Sequence, residues 1–406
     1  PIYIDPEALP ALPSEECKAF LREAKALRQL PAVDYPRVLE LKERFLRRAF
    51  EVQGKADLTS EDFRLFYDEA AAWLRPYALY CVLRDQFGSG TPSDWAGWEA
   101  YDEAKAAAYL DNTAHAEEVG YYYWLQFILD RQLQAVRSYA EERGVFLKGD
   151  LPIGVAPHSV DVWMAPHLFH TEQSAGAPPD DFAVDGQNWG FPTYNWERMQ
   201  EEGDFRWWRQ RFERQARYFH AFRIDHILGF FRIWEVPIDY VRGLCGHFRP
   251  ALPLTPDEIE AFGLSFDIRY ARPMIRRECL AEVFGDKSDE VLARFLTSID
   301  DAYVAPNALC DTQQKIAALF QNTNDVGLRD ALYRLTEEVL FVEDPYTPGH
   351  YHPRISADRS LRYHTLTEAH RIAFDRLYAD FFFVRHHNFW RDTALRRLHP
   401  LTASTD

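Results

Sequence analysis

The sequence predicts an α/β fold with parallel strands, either a (β/α)8 barrel or a doubly wound sheet. Three observations predict it. The stretch Ala221–Trp234 opens as a short apolar strand and then delivers Arg223, Asp225 and His226 in nearly adjacent positions. Its apolar flanks suit a strand buried on both faces, as a parallel sheet requires. The segment 145–155 is a second strand with a carboxylate, Asp150, and it follows a long helical stretch closed by Gly144. Helix, glycine, strand and polar loop form the repeating unit of these folds. Finally, 406 residues, 47% of them hydrophobic, suffice for one large domain or two smaller ones. A charge at a buried strand end is costly unless paired or needed, and barrel enzymes place catalytic residues there. Asp225 is therefore either a catalytic carboxylate held by Arg223, or half of a buried Arg–Asp pair that staples strand to loop.

The elements follow in order. Residues 1–13 read as a strand end and a Pro-rich loop. Ser14 caps a helix to about Leu27, with Glu15 and Glu16 favoured by the dipole in its first turn. Residues 31–36 form a linker, and Val38–Glu51 has helical apolar spacing. Thr59 or Ser60 caps the next helix, which Pro76 is expected to interrupt before it resumes to Phe87. Trp95 and Trp98 lie in a short loop and look exposed. Glu117–Glu142 is a long helix that Gly144 ends from the C′ position. The stretch 174–196, rich in Gly, Pro and Asp, reads as a long loop, and loops of that length are commonly functional. Arg206–Tyr218 is a helix leading into the Asp225 strand.

Composition narrows the function. Aromatic residues make up 15% of the chain, which suits stacking on sugar rings as well as a large core. The net charge of −17, with no Lys/Arg-rich block, argues against a nucleic-acid partner. Five scattered cysteines without metal spacing fit a reducing compartment, and hence a cytoplasmic location. No apolar run is long enough to span a membrane.

Five ordered segments carry a resemblance: Gly149-Asp150-Leu151-Pro152, His158 to Trp163, Gly176 to Asp180, Gly186 to Gly190, and Phe222 to His226. Together they resemble the 4-α-glucanotransferases of glycoside hydrolase family 77. Phe222 to Pro237 is most similar to the cytosolic, maltose-using disproportionating enzymes. The resemblance implies a (β/α)8 TIM barrel of the α-amylase clan and retaining transfer of α-1,4-glucan units. It implies Asp225 as nucleophile, Arg223 as the cation that keeps it ionised, and His226 as a contact to a sugar hydroxyl. Asp161, Asp180, Gln187 and Trp189 would line the glucan cleft, Trp189 by stacking. The implied partners are maltose, malto-oligosaccharides and glycogen- or starch-like glucans, with no cofactor. Asp150 reads equally well as a structural strand-end residue.

The departures from the family pattern are as informative. The acid/base Glu, expected in a Gly-Glu-Asp-Leu-Gly type motif, has no match in this chain, nor has the later stabilising Asp. Glu235 matches a non-catalytic position and reads as a loop start. The chain thus reads as an internal fragment, an incomplete barrel with an insertion: residues 1–237 as the N-terminal part of the barrel, 238–364 as a mainly helical insertion, and 365–406 as helices leading back. Loss of a general acid typically costs on the order of 10²–10⁴-fold, so little transferase activity is expected of it. An α-glucan hydrolase and a non-catalytic glucan-binding protein are the alternatives. In the insertion Thr255 is the expected N-cap and Pro256 the N1 residue of a helix; further helices are expected at 288–299, 316–320 and 328–339, and a helix pair at 369–398. His350/His352 and His386/His387 lack a third ligand at local spacing, which argues against a metal.

Overall fold

A computed structural model describes residues 2–9 and 14–393. The expectations placed on residues 1, 10–13 and 394–406 lie outside the described residues. The chain divides into two compact units. The first comprises Pro1–Leu151, His158–Leu168 and Trp196–Ile224; the second comprises Pro152–Pro157, Phe169–Asn195 and Asp225–Asp406. The strands bearing on the site are β1 (Lys148–Leu151), β2 (Phe169–Ala177), β3 (Gln187–Tyr194), β4 (Ala221–Ile224), β5 (Ile233–Pro237) and β6 (His247–Arg249).

The first unit is built on helices. Glu61–Phe87 starts at Ser60, whose hydroxyl accepts from Phe63 N at 3.1 Å, and stops at left-handed Gly88. Its partner, Ala116–Glu141, lays Trp124, Leu125 and Phe127 against it, and Phe63 meets Phe127 edge-on at 5.5 Å. Pro76 does not interrupt the first of these helices. It is buried, and packing along 27 residues outweighs the roughly 3 kcal/mol that a mid-helix proline costs. Trp95 and Trp98 are not exposed. Both are buried, and Trp95 Nε1 donates to the Ser89 carbonyl at 2.8 Å. Asp150 lies opposite Arg223 in the parallel pair β1–β4. Burial on both faces is not found for β4: among the described residues it pairs with β1 alone, and its residues are exposed or half-buried.

The second unit holds a four-stranded sheet in the order β3-β2-β5-β6. The expected long loop at 174–196 is the antiparallel hairpin β2–β3 instead. Gly and Pro concealed it, but Gly176 is needed there: a Cβ would stand 2.0 Å from the Gln187 carbonyl oxygen of the facing strand. Glu235 lies inside β5, not at a loop start. The helix Pro256–Ala261 has its capping box, with Thr255 and Glu258 bonded reciprocally. Three of the other expected helices appear as Ser288–Phe295, Gln313–Leu319 and Val326–Thr336; in place of the expected pair, Glu368–Asp380 runs on without a break through Phe381–Arg385 into helix up to residue 393. Between them run short strands, β7 (Ile275–Arg276), β8 (Leu296–Ser298), β9 (Tyr303–Pro306), β10 (Phe341–Glu343) and β11 (Tyr351–Pro353). Strands of two to four residues are too short to show alternation in sequence. Two apolar clusters support this unit, one around Val291, Phe295 and Leu332, the other around Leu340, Phe341 and Phe374. Among the described residues, no helix is long and apolar enough to cross a membrane.

Candidate active site

Two of the seven predicted site residues, Arg223 and Asp161, fall in the first unit and the other five, Asp225 among them, in the second, so each is described in its own surroundings. In the first unit, Arg223 Nη1 donates to Asp150 Oδ2 at 3.1 Å, and both side chains are more than half exposed. The strand-end carboxylate is thus held by the arginine facing it across the parallel pair. Asp161 sits in the first turn of the short helix Val160–Met164, which Ser159 caps. Its Oδ1 accepts the indole N–H of Trp207 at 3.0 Å.

In the second unit, Asp225 follows β4 directly and is half-buried. His226 adopts a left-handed backbone at φ 47°, an uncommon state for a non-glycine residue that concentrates at functional sites. The turn tightens at once: Gly229 N donates to the His226 carbonyl at 2.8 Å. A Cβ on Gly229 would stand 2.8 Å from His226 Cδ2, so only glycine lets the imidazole lie there. Trp189 meets this ring edge-on, with centroids 5.1 Å apart and planes at 85°. On its other side Trp189 stacks against Phe191 at 5.9 Å. Its Nε1 donates to Gln187 Oε1 at 2.9 Å, which fixes the indole. Gln187 and Trp189 on the hairpin therefore form one aromatic and polar platform with His226 of the turn after β4. Asp180 stands apart at the hairpin's loop, where its Oδ1 accepts from Phe182 N at 2.9 Å and Ala183 N at 2.7 Å. It shapes the turn in the manner of Asx residues.

Glu235 is fully buried. Burial pushes its carboxyl up to about 7, against the pull of Thr193, Arg249 and Tyr346. Oε1 accepts from Thr193 Oγ1 at 2.5 Å and Oε2 from Tyr346 OH at 2.9 Å. A raised carboxyl is the protonation state a general acid needs, yet both oxygens are engaged inside the sheet, so Glu235 is not available to a sugar. Sequence spacing missed this network because Tyr346 comes from 111 residues away.

Residues 1–403 match the glycoside hydrolase family 77 model, described as 4-alpha-glucanotransferase. The chain belongs to the 4-alpha-glucanotransferase family. A family relative from Oryza sativa subsp. japonica, 4-alpha-glucanotransferase DPE2, is 37% identical over 416 residues, covering 100% of this chain and 44% of that protein. The 4-alpha-glucanotransferase of Chlamydia caviae is 34% identical over 236 residues, covering 58% of this chain and 44% of that protein. The chain therefore spans less than half the length of these relatives. Among solved structures, the amylomaltase of Streptococcus agalactiae in complex with acarbose superposes with a TM-score of 0.53 at 22% identity, covering 93% of this chain and 85% of that one. The mixed α/β architecture is thus that of an amylomaltase.

Proposed function

We propose that this chain supplies the nucleophile side of a retaining 4-α-glucanotransferase acting on maltose, malto-oligosaccharides and larger α-glucans of the glycogen or starch kind. Family membership over residues 1–403 carries the reading. The platform of Trp189, Gln187 and His226 beside the Asp225 turn supports it, since flat aromatic and amide groups suit a pyranose. In this reaction Asp225 attacks the anomeric carbon, the glycosidic C–O bond breaks, and the leaving oxygen takes a proton from a second carboxylic acid. The acceptor hydroxyl then displaces Asp225 and returns its proton to that acid. Retention requires the two carboxyl groups to stand about 5–5.5 Å apart. No described residue is assigned to the second role, Glu235 being sealed in its sheet. On the family motifs, Arg223 is assigned to supporting the nucleophile, and Asp161 and Asp180 to substrate binding. The cysteine pattern supports a cytoplasmic location.

The test uses 5-fluoro-α-glucosyl fluoride, whose leaving group departs without a proton from a general acid. Mass spectrometry is expected to find a glycosyl adduct on the peptide containing Asp225, absent in Asp225→Asn. Acarbose binding without any adduct would overturn the enzyme reading in favour of glucan binding. Maltotriose yielding only glucose and maltose, with no longer products, would make the chain's reaction hydrolysis.

A further inference from the structure

We propose that His247, Asp344 and His352 form a binding site for one divalent transition-metal ion of the zinc class, which ties β6 to the β10–β11 hairpin. All three residues lie in the second unit and are buried, at 3%, 6% and 2% exposure. One ligand atom from each falls within 4.8 Å of the others. Neither ring nitrogen of the buried His247 has a hydrogen-bond partner among the described residues. A buried imidazole left in that state costs free energy that a bound ion would recover. The two imidazoles stack, with centroids 4.6 Å apart.

The surrounding groups prepare the site. Asp344 Oδ1 accepts from Tyr346 N at 2.9 Å and Thr347 N at 2.6 Å, which leaves Oδ2 aimed at His352 Nε2, 2.8 Å away. The proton shared by that pair passes to solvent when the ion takes its place. The carboxylate of Glu235 lies 3.5 Å from His247 Nε2; carboxylates beside metal-bound imidazoles orient them. Arg249 lies 3.9 Å from Glu235 Oε1. His386 is not a ligand: its Nε2 accepts from Leu252 N at 2.9 Å and its Nδ1 faces the Phe381 carbonyl at 3.0 Å. A small cavity bordered by Trp234, His247, His352 and Trp390 opens beside both rings. Two imidazoles and one carboxylate select Zn²⁺ or Co²⁺ over Mg²⁺ or Ca²⁺. The spacing argument against a metal at His350/His352 did not reach His247, which comes from more than 100 residues upstream and meets His352 only in the fold, where Leu254 bridges to Tyr351.

The test uses the full chain purified without a histidine tag and stripped with EDTA. Zn²⁺ is expected to bind at about one equivalent and raise Tm. Co²⁺ is expected to give visible d–d bands and hyperfine-shifted ring N–H signals from two histidines. His247→Gln and Asp344→Asn, checked for native circular dichroism, should each weaken Zn²⁺ binding about tenfold or more. No uptake by the stripped wild-type chain, or uptake unchanged in both variants, would overturn the proposal. If the variants do not fold, the wild-type Co²⁺ spectrum decides alone: two histidine signals support the site, and their absence removes it.

Discussion

The ends of β4 and β5 stand about ten residues apart in sequence and solve the same problem in opposite ways. Each carries ionisable side chains on a short apolar strand. At β4, Arg223 and Asp150 are 56% and 58% exposed, and water screens the pair. At β5, Glu235 is sealed in the sheet; burial pushes its carboxyl up to about 7, and Thr193 and Tyr346 satisfy its oxygens. Exposed charges remain open to a ligand and contribute little to stability. Buried ones are committed to the fold, and removing a single partner is costly. Position along a strand therefore does not distinguish a catalytic carboxylate from a structural one; the neighbours across the sheet do.

Four measurements sharpen or break this contrast. The largest effect is expected at Glu337, a second buried carboxylate, which burial raises to about 7. It accepts from Gln313 Nε2 at 2.8 Å. Because its folded pKa lies above the ordinary 4.5, its stabilising contribution is complete below about pH 4.5 and is lost as pH rises through about 7. Glu337→Gln does not titrate, so its stability relative to wild type should climb by on the order of 3 kcal/mol between pH 4.5 and 8 in urea melts. A pH-independent difference would show that Glu337 is ionised throughout. Next, Thr193→Val strips one donor from Glu235 and should cost about 1–3 kcal/mol at pH 7; no loss would mean that water reaches this carboxylate. Trp189→Ala should weaken acarbose binding about tenfold, or ~1.4 kcal/mol, by removing the ring that faces His226, and calorimetry would detect it. Unchanged affinity would place the sugar elsewhere. The smallest effect belongs to Asp150→Asn, expected to change stability by no more than about 1 kcal/mol. A larger loss by denaturant titration would show that the β1–β4 pair is tightly coupled despite its exposure.

The candidate site was legible where chemistry is local. Asp225, His226 and Trp189 stand out by residue type and motif, and the hairpin does bring Trp189 to His226. Gln187 was expected to line a glucan cleft; that it is the acceptor fixing the indole of Trp189 needed the fold. Asp180 was legible as a polar loop residue, whereas its backbone bonds at the turn needed the fold. Trp95 and Trp98 misled because Gly, Pro and Ser around them signal a loop, while their indoles pack beneath the helices.

What the sequence by itself determined is the helical framework and the family. Apolar periodicity, N-caps such as Ser60 and Thr255, and five ordered motifs are all short-range signals, and short-range interactions produce them. What only the tertiary structure decided is which polar groups are sealed and with whom. Whether Pro76 breaks its helix, whether 174–196 is a loop or a hairpin, and whether Glu235, His247, Asp344 and His352 meet depend on contacts between residues far apart in the chain. Burial and its desolvation cost belong to the assembled sheet, and no window of neighbouring residues contains them.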